Sequence, residues 1–346
     1  MNNDNNEEKQ ARAVTSRDVT SSAHNSAILD QIRRDDCLQL LIESHDALYD
    51  YDVGDKSQFV VDDGDNMHWL GYHIGRSVAL IDLCINSEER RGRDRDALMR
   101  GINSNRSIEV LELYDHLDFD VSLLGNFFAN NPKLRSLSLD GNDIGDDGAA
   151  ALMKALANQP QLNSLSLPSN NIGRIDFCQQ NCTSRWVFPC LVELDLSFNR
   201  IDDIGLEALA SSLASSTSLK RLDVSSNTLI TSSGLRSLSA LLHSENCRLE
   251  DLCLDAMPID DDGAEALATG LLSNMSVKRL MLPATSGITE SGWSSFSRLL
   301  CDKSSINSIH KSNHTLNQIG SLPVPRDHDI RHYLKLNTSS NLHRTA

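Results

Sequence analysis

The sequence is short of rings, proline, long apolar runs and basic charge. Aromatic residues make up 5% of its 346 positions and proline only 8 of them. The core must therefore be filled by aliphatic side chains, not by stacked rings. No run of about 18 apolar residues occurs, so no membrane-spanning helix is expected. Met1 to Lys9 are rich in Asn and Glu without an apolar stretch, which argues against a secretory signal. Thirty-two Lys and Arg face 48 Asp and Glu, a formal net charge of −16. Nucleic acid is a poor partner for such a chain, because phosphates need a basic face. Eight scattered cysteines fit reduced thiols in a cytoplasmic or nuclear setting.

Chemistry-bearing motifs are missing too. There is no Ser–His–Asp arrangement, no phosphate-cradling glycine loop and no H-E-x-x-H pattern. Asp62-Asp63-Gly64-Asp65-Asn66 begins like a calcium loop, but the position that needs a glutamate is His73. Cys178, Cys182 and Cys190 are spaced more loosely than paired zinc ligands. His328 and His332 lie four apart without a catalytic partner motif. No enzyme, cofactor or metal is expected.

What the chain does contain is repetition. Leu191, Leu194 and Leu196 alternate as a strand does, and Leu206, Leu209, Ala210 and Leu213 follow at helical spacing. Asn199 and Gly205 stand at the joints. The first leucine-type position recurs at 134, 162, 191, 219, 249, 277 and 306. Weaker copies precede these, at Ile108, Leu111 and Leu113 and at Val78, Ile81, Leu83 and Asn86. One such unit cannot bury its apolar face alone and needs copies stacked beside it. The order L-x-x-L-x-L-x-x-N…G-x-x-x-L, at 28–30 residues per step, resembles the leucine-rich repeat family in its long, ribonuclease-inhibitor-like subclass. The resemblance implies a right-handed α/β solenoid, a horseshoe with a parallel sheet on its concave side and helices on its convex side. It also implies that Asn142, Asn170, Asn199 and Asn227 form a ladder, lapsing at Met257 and Thr285.

The expected organisation has four parts. Residues 1–25 form a disordered tail. Residues 26–75 form an N-terminal cap with an acidic loop; a helix carries Ile28 and Ile32, and a strand carries Leu40 to Ile42. Residues 76–312 are the solenoid, ending in a degenerate strand over Ser304–Ser312. Residues 313–346 form a C-terminal cap and a mobile, basic, histidine-containing tail. The segment after Asn170 and Ile172 lacks the helix pattern and predicts a distorted convex side. Acidic pairs such as Asp202-Asp203 and Asp260-Asp261 open helices, where a carboxylate caps free N–H groups.

The strand positions facing away from the core are the candidates for binding. On the concave face they include Asp82, Glu112, Tyr114, Asp140, Glu193, Asp195, Arg221, Asp223, Asp251, Asp255 and Arg279. They are expected to make an acidic wall suited to a protein partner with a basic surface. The first functional reading is a non-catalytic binding scaffold or adaptor. The alternative, implied by a family sharing this repeat subclass, is a GTPase-activating protein using Arg174 or Arg200; the basic C-terminus departs from that family.

Overall fold

The structure is a computed structural model. It describes residues 20–44, 56–61, 66–86, 93–114, 121–157, 159–173, 188–283, 287–320 and 328–344. The chain divides into two compact units, residues 1–143 with 154–162 and residues 144–153 with 163–346. Among the described residues no helix is long and apolar enough to cross a membrane.

The first unit begins with α1 (Ala23–Arg33), β1 (Gln39–Ser44), β2 (Ser57–Val61) and α2 (Met67–Arg76). It continues with β3 (Asp82–Asn86), α3 (Arg93–Ser104), β4 (Val110–Tyr114), a 3₁₀ turn at Val121–Leu124, α4 (Gly125–Asn130) and β5 (Ser136–Ser138). Its strands run in the order β5-β4-β3-β1-β2, each parallel to its neighbours. Helix α5 (Gly145–Leu156) has residues in both units. The second unit holds β6 (Ser164–Ser166), β7 (Glu193–Asp195), α6 (Asp203–Leu213), β8 (Arg221–Asp223), α7 (Ser232–His243) and β9 (Asp251–Cys253). It ends with α8 (Asp261–Leu271), β10 (Arg279–Met281), α9 (Glu290–Leu300), α10 (Ile306–Lys311), β11 (Gln318–Ile319) and α11 (His328–Arg344). Strands β6 to β11 pair in chain order, all parallel. A parallel sheet with a helix in most crossovers is the leucine-rich-repeat solenoid architecture.

The repeated leucines fill the core. Leu134, Leu137, Leu139, Leu222, Leu252, Leu280 and their equivalents are fully buried. Each contributes about 1.5–3 kcal/mol. After the last inward residue of a strand the chain turns through one left-handed residue: Gly141, Ser169, Phe198, Ser226 or Ala256. After the first four of these the next residue is the ladder asparagine. The amide of Asn199 donates to the Leu167 and Leu196 carbonyls at 2.8 and 3.1 Å, and its oxygen accepts from the Asn170 and Ile172 N–H groups at 3.0 Å. Asn227 donates to Leu196 O at 2.9 Å and Val224 O at 2.8 Å and accepts from Ile201 N–H at 2.9 Å. Asn142 donates to Leu113 O at 2.8 Å. At Met257, where the asparagine lapses, Ile259 N–H donates to Met257 O at 2.9 Å.

A second polar row lies where helices return to strands, three residues before the first inward leucine. Asn131 donates to Asn105 O at 2.9 Å and Gln159 to Phe128 O at 2.6 Å. In the second unit Asn274 donates to Leu242 O at 2.8 Å, and Asn313 to Leu271 O at 2.8 Å and Asn274 O at 2.9 Å. Buried backbone carbonyls need partners, and these amides supply them.

The acidic pairs at helix starts divide their work. Asp202 and Asp260 cap their own helices, accepting from Gly205 and Gly263 N–H at 2.8 and 2.9 Å. Their neighbours reach the next repeat: Asp203 accepts from Thr231 N–H at 2.7 Å and Asp261 from Thr289 N–H at 2.7 Å.

Three expectations need correction at the ends. The residues called tail up to position 25 include the start of α1, capped by Ser22. The first repeat is framed by Leu80, Leu83 and Ile85, all buried, whereas Val78 is 75% and Ile81 36% exposed. Ser304–Ser312 is not a strand: α10 occupies Ile306–Lys311 with both isoleucines exposed, and the last strand comes at Gln318–Ile319. The C-terminal stretch forms α11, docked through buried Ile330, Leu334 and Asn337. Most of the acidic loop, the segment from 174 to 187 where a distorted convex side is expected, and Thr285 lie outside the described residues.

Candidate functional site

The helices cover one side of each sheet, and the open side carries the outward strand positions. In the second unit the register sets these into rows. Glu193, Arg221, Asp251 and Arg279 are lateral neighbours, as are Asp195, Asp223, Cys253 and Met281. The first row alternates in sign. Arg279 grips Asp251 through two guanidinium nitrogens. Arg221 turns to Asp223 on its own strand, Nη2 to Oδ2 at 3.1 Å. At the strand entrances Glu250 accepts from Lys220 at 3.0 Å and from Lys278 at 2.5 Å. The acidity counted along this face is thus partly cancelled by its own cations.

Glu193 and Asp195 remain without an ion pair among the described residues. Asp195 Oδ1 accepts from Ser197 N–H at 2.8 Å, and Asp223 Oδ1 from Ser225 N–H at 3.0 Å. Burial holds the Asp195 carboxyl above the usual carboxylate range, and the nearby Asp223 charge adds to this. Burial, with Asp223 again contributing, pushes the Cys253 thiol up to about 12. Asp255 is half-buried beyond the end of β9, its N–H donating to Ser225 Oγ at 3.1 Å.

In the first unit the face is organised by a residue outside the expected set. Lys56, just before β2, places its ammonium 3.2 Å from Asp82 Oδ1 and 2.6 Å from Glu112 Oε2. Gln39 donates to the other Asp82 oxygen at 3.3 Å. Burial alone would pull the Lys56 pKa down, but the Glu112 and Asp82 carboxylates carry it above the ordinary value. Burial raises Asp82 despite Lys56. The two carboxylates stand in different columns: Asp82 is level with Val110, and Glu112 with Cys84 and Ser138. Tyr114 and Asp140 are half-buried at strand exits. Within the first unit, Asp82 and Glu112 are paired through Lys56. Within the second, the outward residues of β7 to β10 form a mixed-charge grid.

Phe198 was not anticipated. It stands at the left-handed turn after β7, φ 54°, and is 65% exposed. A bulky side chain with positive φ is uncommon and draws attention to its position. Arg200 is exposed two residues later, and Leu229, 52% exposed, follows in the next repeat. Its signal in the sequence was an aromatic in a ring-poor chain at the place where other repeats carry Gly, Ser or Ala. Arg174 lies outside the described residues. Among the described residues no cluster of His, Cys, Asp and Glu could hold a metal ion.

Residues 130–153, 189–210 and 215–239 match the family described as Leucine Rich repeat. The chain is 29% identical over 197 residues to a Sus scrofa protein named Ribonuclease inhibitor, a match covering 57% of this chain and 43% of that one. It is also 29% identical over 202 residues to the Mus musculus NACHT, LRR and PYD domains-containing protein 14, covering 57% of this chain and 20% of the relative. The matches thus span less than half the length of these relatives. An internalin structure from Listeria monocytogenes is 18% identical, covers 78% of this chain and 73% of its own, and gives a TM-score of 0.40. From its repeat pattern, its parallel sheet and these sequence relatives, the chain is a leucine-rich-repeat protein of the ribonuclease-inhibitor-like kind.

Proposed function

We propose that the chain is a non-catalytic protein-binding scaffold whose contact surface is the open strand face of the second unit. Repeat proteins of this architecture bind partners over their exposed sheets. One relative is by its name an inhibitor of a ribonuclease. The observation that carries the reading is the grid itself: outward side chains held in fixed register on β7 to β10, with Glu193 and Asp195 offering carboxylates that no ion pair takes up among the described residues. Such a grid favours a partner of mixed charge that brings at least one cation opposite Asp195. Complementary charge placed this way contributes mainly to specificity and association rate.

The test is quantitative interaction capture with the wild type, with Glu193→Lys/Asp195→Lys, and with Asp262→Lys on the helix side as a control. Partners should be lost from the strand-face variant and kept by the control, with both variants matching the wild type in circular dichroism. Identical partner sets and affinities across all three would overturn the strand face as the contact surface.

A further inference from the structure

The turn that carries Phe198 is left-handed in five repeats. The other four place Gly141, Ser169, Ser226 and Ala256 there, and all five have φ between 54° and 72°. Small residues suit this backbone, because a side chain in the left-handed region crowds the neighbouring carbonyl. Phe198 is the one bulky residue among the five, and at 65% exposure its ring gains little from burial in return. Its N–H donates to Ser225 O at 2.9 Å, so the backbone is fastened to the next repeat without any help from the ring. Backbone strain that the fold does not need clusters where a protein meets a ligand or partner.

The surroundings of the ring are uneven in charge. Asp195 stands three residues earlier, on the strand that enters the turn, and that length of chain reaches at most about 10 Å. Its half-buried carboxylate accepts from Ser197 N–H at 2.8 Å and has no ion pair among the described residues. Its lateral neighbour Asp223 is already paired with Arg221 at 3.1 Å. Burial first, then the Asp223 charge, disfavours ionised Asp195, and a cation brought from outside would relieve both. Past the turn the exposed residues change character. Arg200 follows the ring by two residues, and Leu229 of the next repeat, 52% exposed, forms an isolated parallel bridge with Asp202.

We propose that Phe198 is the anchor for a partner's peptide segment, in which a large apolar side chain seats on the ring while a Lys or Arg a few residues away pairs with Asp195. The inference rests on the strand face being the contact surface and adds the partner chemistry that this face takes. An exposed ring beside a partly desolvated carboxylate combines aromatic area with one unpaired charge, the composition that dominates interface energetics. Leu229 extends the apolar footing along the rim. Arg200 disfavours a second cation past the turn, so the segment lies with its cation toward β7 and its apolar group toward the turn.

The probe is a phage-displayed random peptide library selected on the immobilised full chain. Enriched peptides are synthesised and their affinities measured by fluorescence anisotropy. They should pair Lys or Arg with a large apolar residue a few positions away. Phe198→Ser and Asp195→Asn should each weaken them at least about tenfold. Ser169 and Ser226 occupy the same turn, so Phe198→Ser should fold as the wild type does. Phe198→Gly should melt at a higher temperature than the wild type, because glycine adopts the left-handed turn freely. A lower melting temperature for Phe198→Gly would assign the ring to the fold and overturn the proposal. So would a selection that enriches no peptide pairing a cation with an apolar residue. Peptides lost from Glu193→Lys/Asp195→Lys but bound normally by Phe198→Ser would remove the anchor and leave the strand face standing. Peptides indifferent to all these variants would remove both.

Discussion

Asn227 is fully buried and serves four backbone groups in two repeats. Asn227→Ala leaves three carbonyls and one N–H to find new partners in a dry turn. Its unfolding free energy should fall by about 2–4 kcal/mol, measured by urea titration. This role was legible, because asparagine recurs at one offset after four consecutive strands, at 142, 170, 199 and 227. The companion row of Asn105, Asn131, Gln159, Asn274 and Asn313 stands three residues before the first inward position of five repeats, but Phe188 and Ser216 interrupt it and the residue type varies, so the pattern does not stand out in the sequence. Asp195 behaves differently. Its raised pKa means that the folded chain holds this proton more tightly than the unfolded chain does. The associated stability is fully present below the ordinary carboxylate pKa and is lost as pH rises through the raised value. Asp195→Asn keeps an acceptor for Ser197 N–H and removes the charge beside Asp223. The variant should be slightly more stable than wild type at neutral pH, and the gap should close on acidification, as melting curves across pH would reveal.

Among the elements, helix starts were read well and strand frames at the ends were not. Asp at a helix start announces a cap, and Asp202 and Asp260 do cap. The second member of each pair is set by tertiary geometry, since only the stacked neighbour shows that Asp261 reaches Thr289 and Gly292. Asp261→Ala should therefore lower the melting temperature, whereas Asp262→Ala, whose carboxylate is largely exposed and 3.9 Å from Arg236, should leave it unchanged. Equal effects would mean that the inter-repeat bonds carry no weight. At the N-terminal end two apolar frames overlap two residues apart, Val78-Ile81-Leu83 and Leu80-Leu83-Ile85. The frame that aligns Leu83 with Leu111 and Ile85 with Leu113 prevails. At the C-terminal end Ile306 and Ile309 fit the strand spacing, but Ser305 caps a helix there by accepting from Ser308 N–H at 3.1 Å. Capping outweighed an apolar pattern too short to define a strand.

For the whole molecule, repetition made the fold legible and left the binding surface undetermined, because the same leucines recur whatever the outward residues do. On β7 to β10 the acidic wall expected from residue counts became a partly paired, mixed-charge grid once register placed Arg221 and Arg279 beside the carboxylates. Lys56 could not be assigned to that face at all, since its reach across β1 and β3 to Glu112 depends on a sheet edge the periodicity does not mark. The end of the stack is closed by α11, whose Asn337 donates to Asn313 O at 3.2 Å and Leu316 O at 2.7 Å beside buried Ile330 and Leu334. A chain ending before His328 should melt earlier and aggregate on heating, as light scattering would record, because the last repeat then presents its apolar flank to water. The two rows of asparagine and glutamine amides also govern how such a chain tolerates changes in length. Where a coil carries both, as with Asn131 and Asn142, one amide fastens it to the coil before at each edge, so removing a single residue between the two would unfasten one edge while the other holds. Inserting or deleting an entire coil would leave both edges matched, which makes duplication and loss of complete coils the cheap route by which proteins of this build lengthen and shorten.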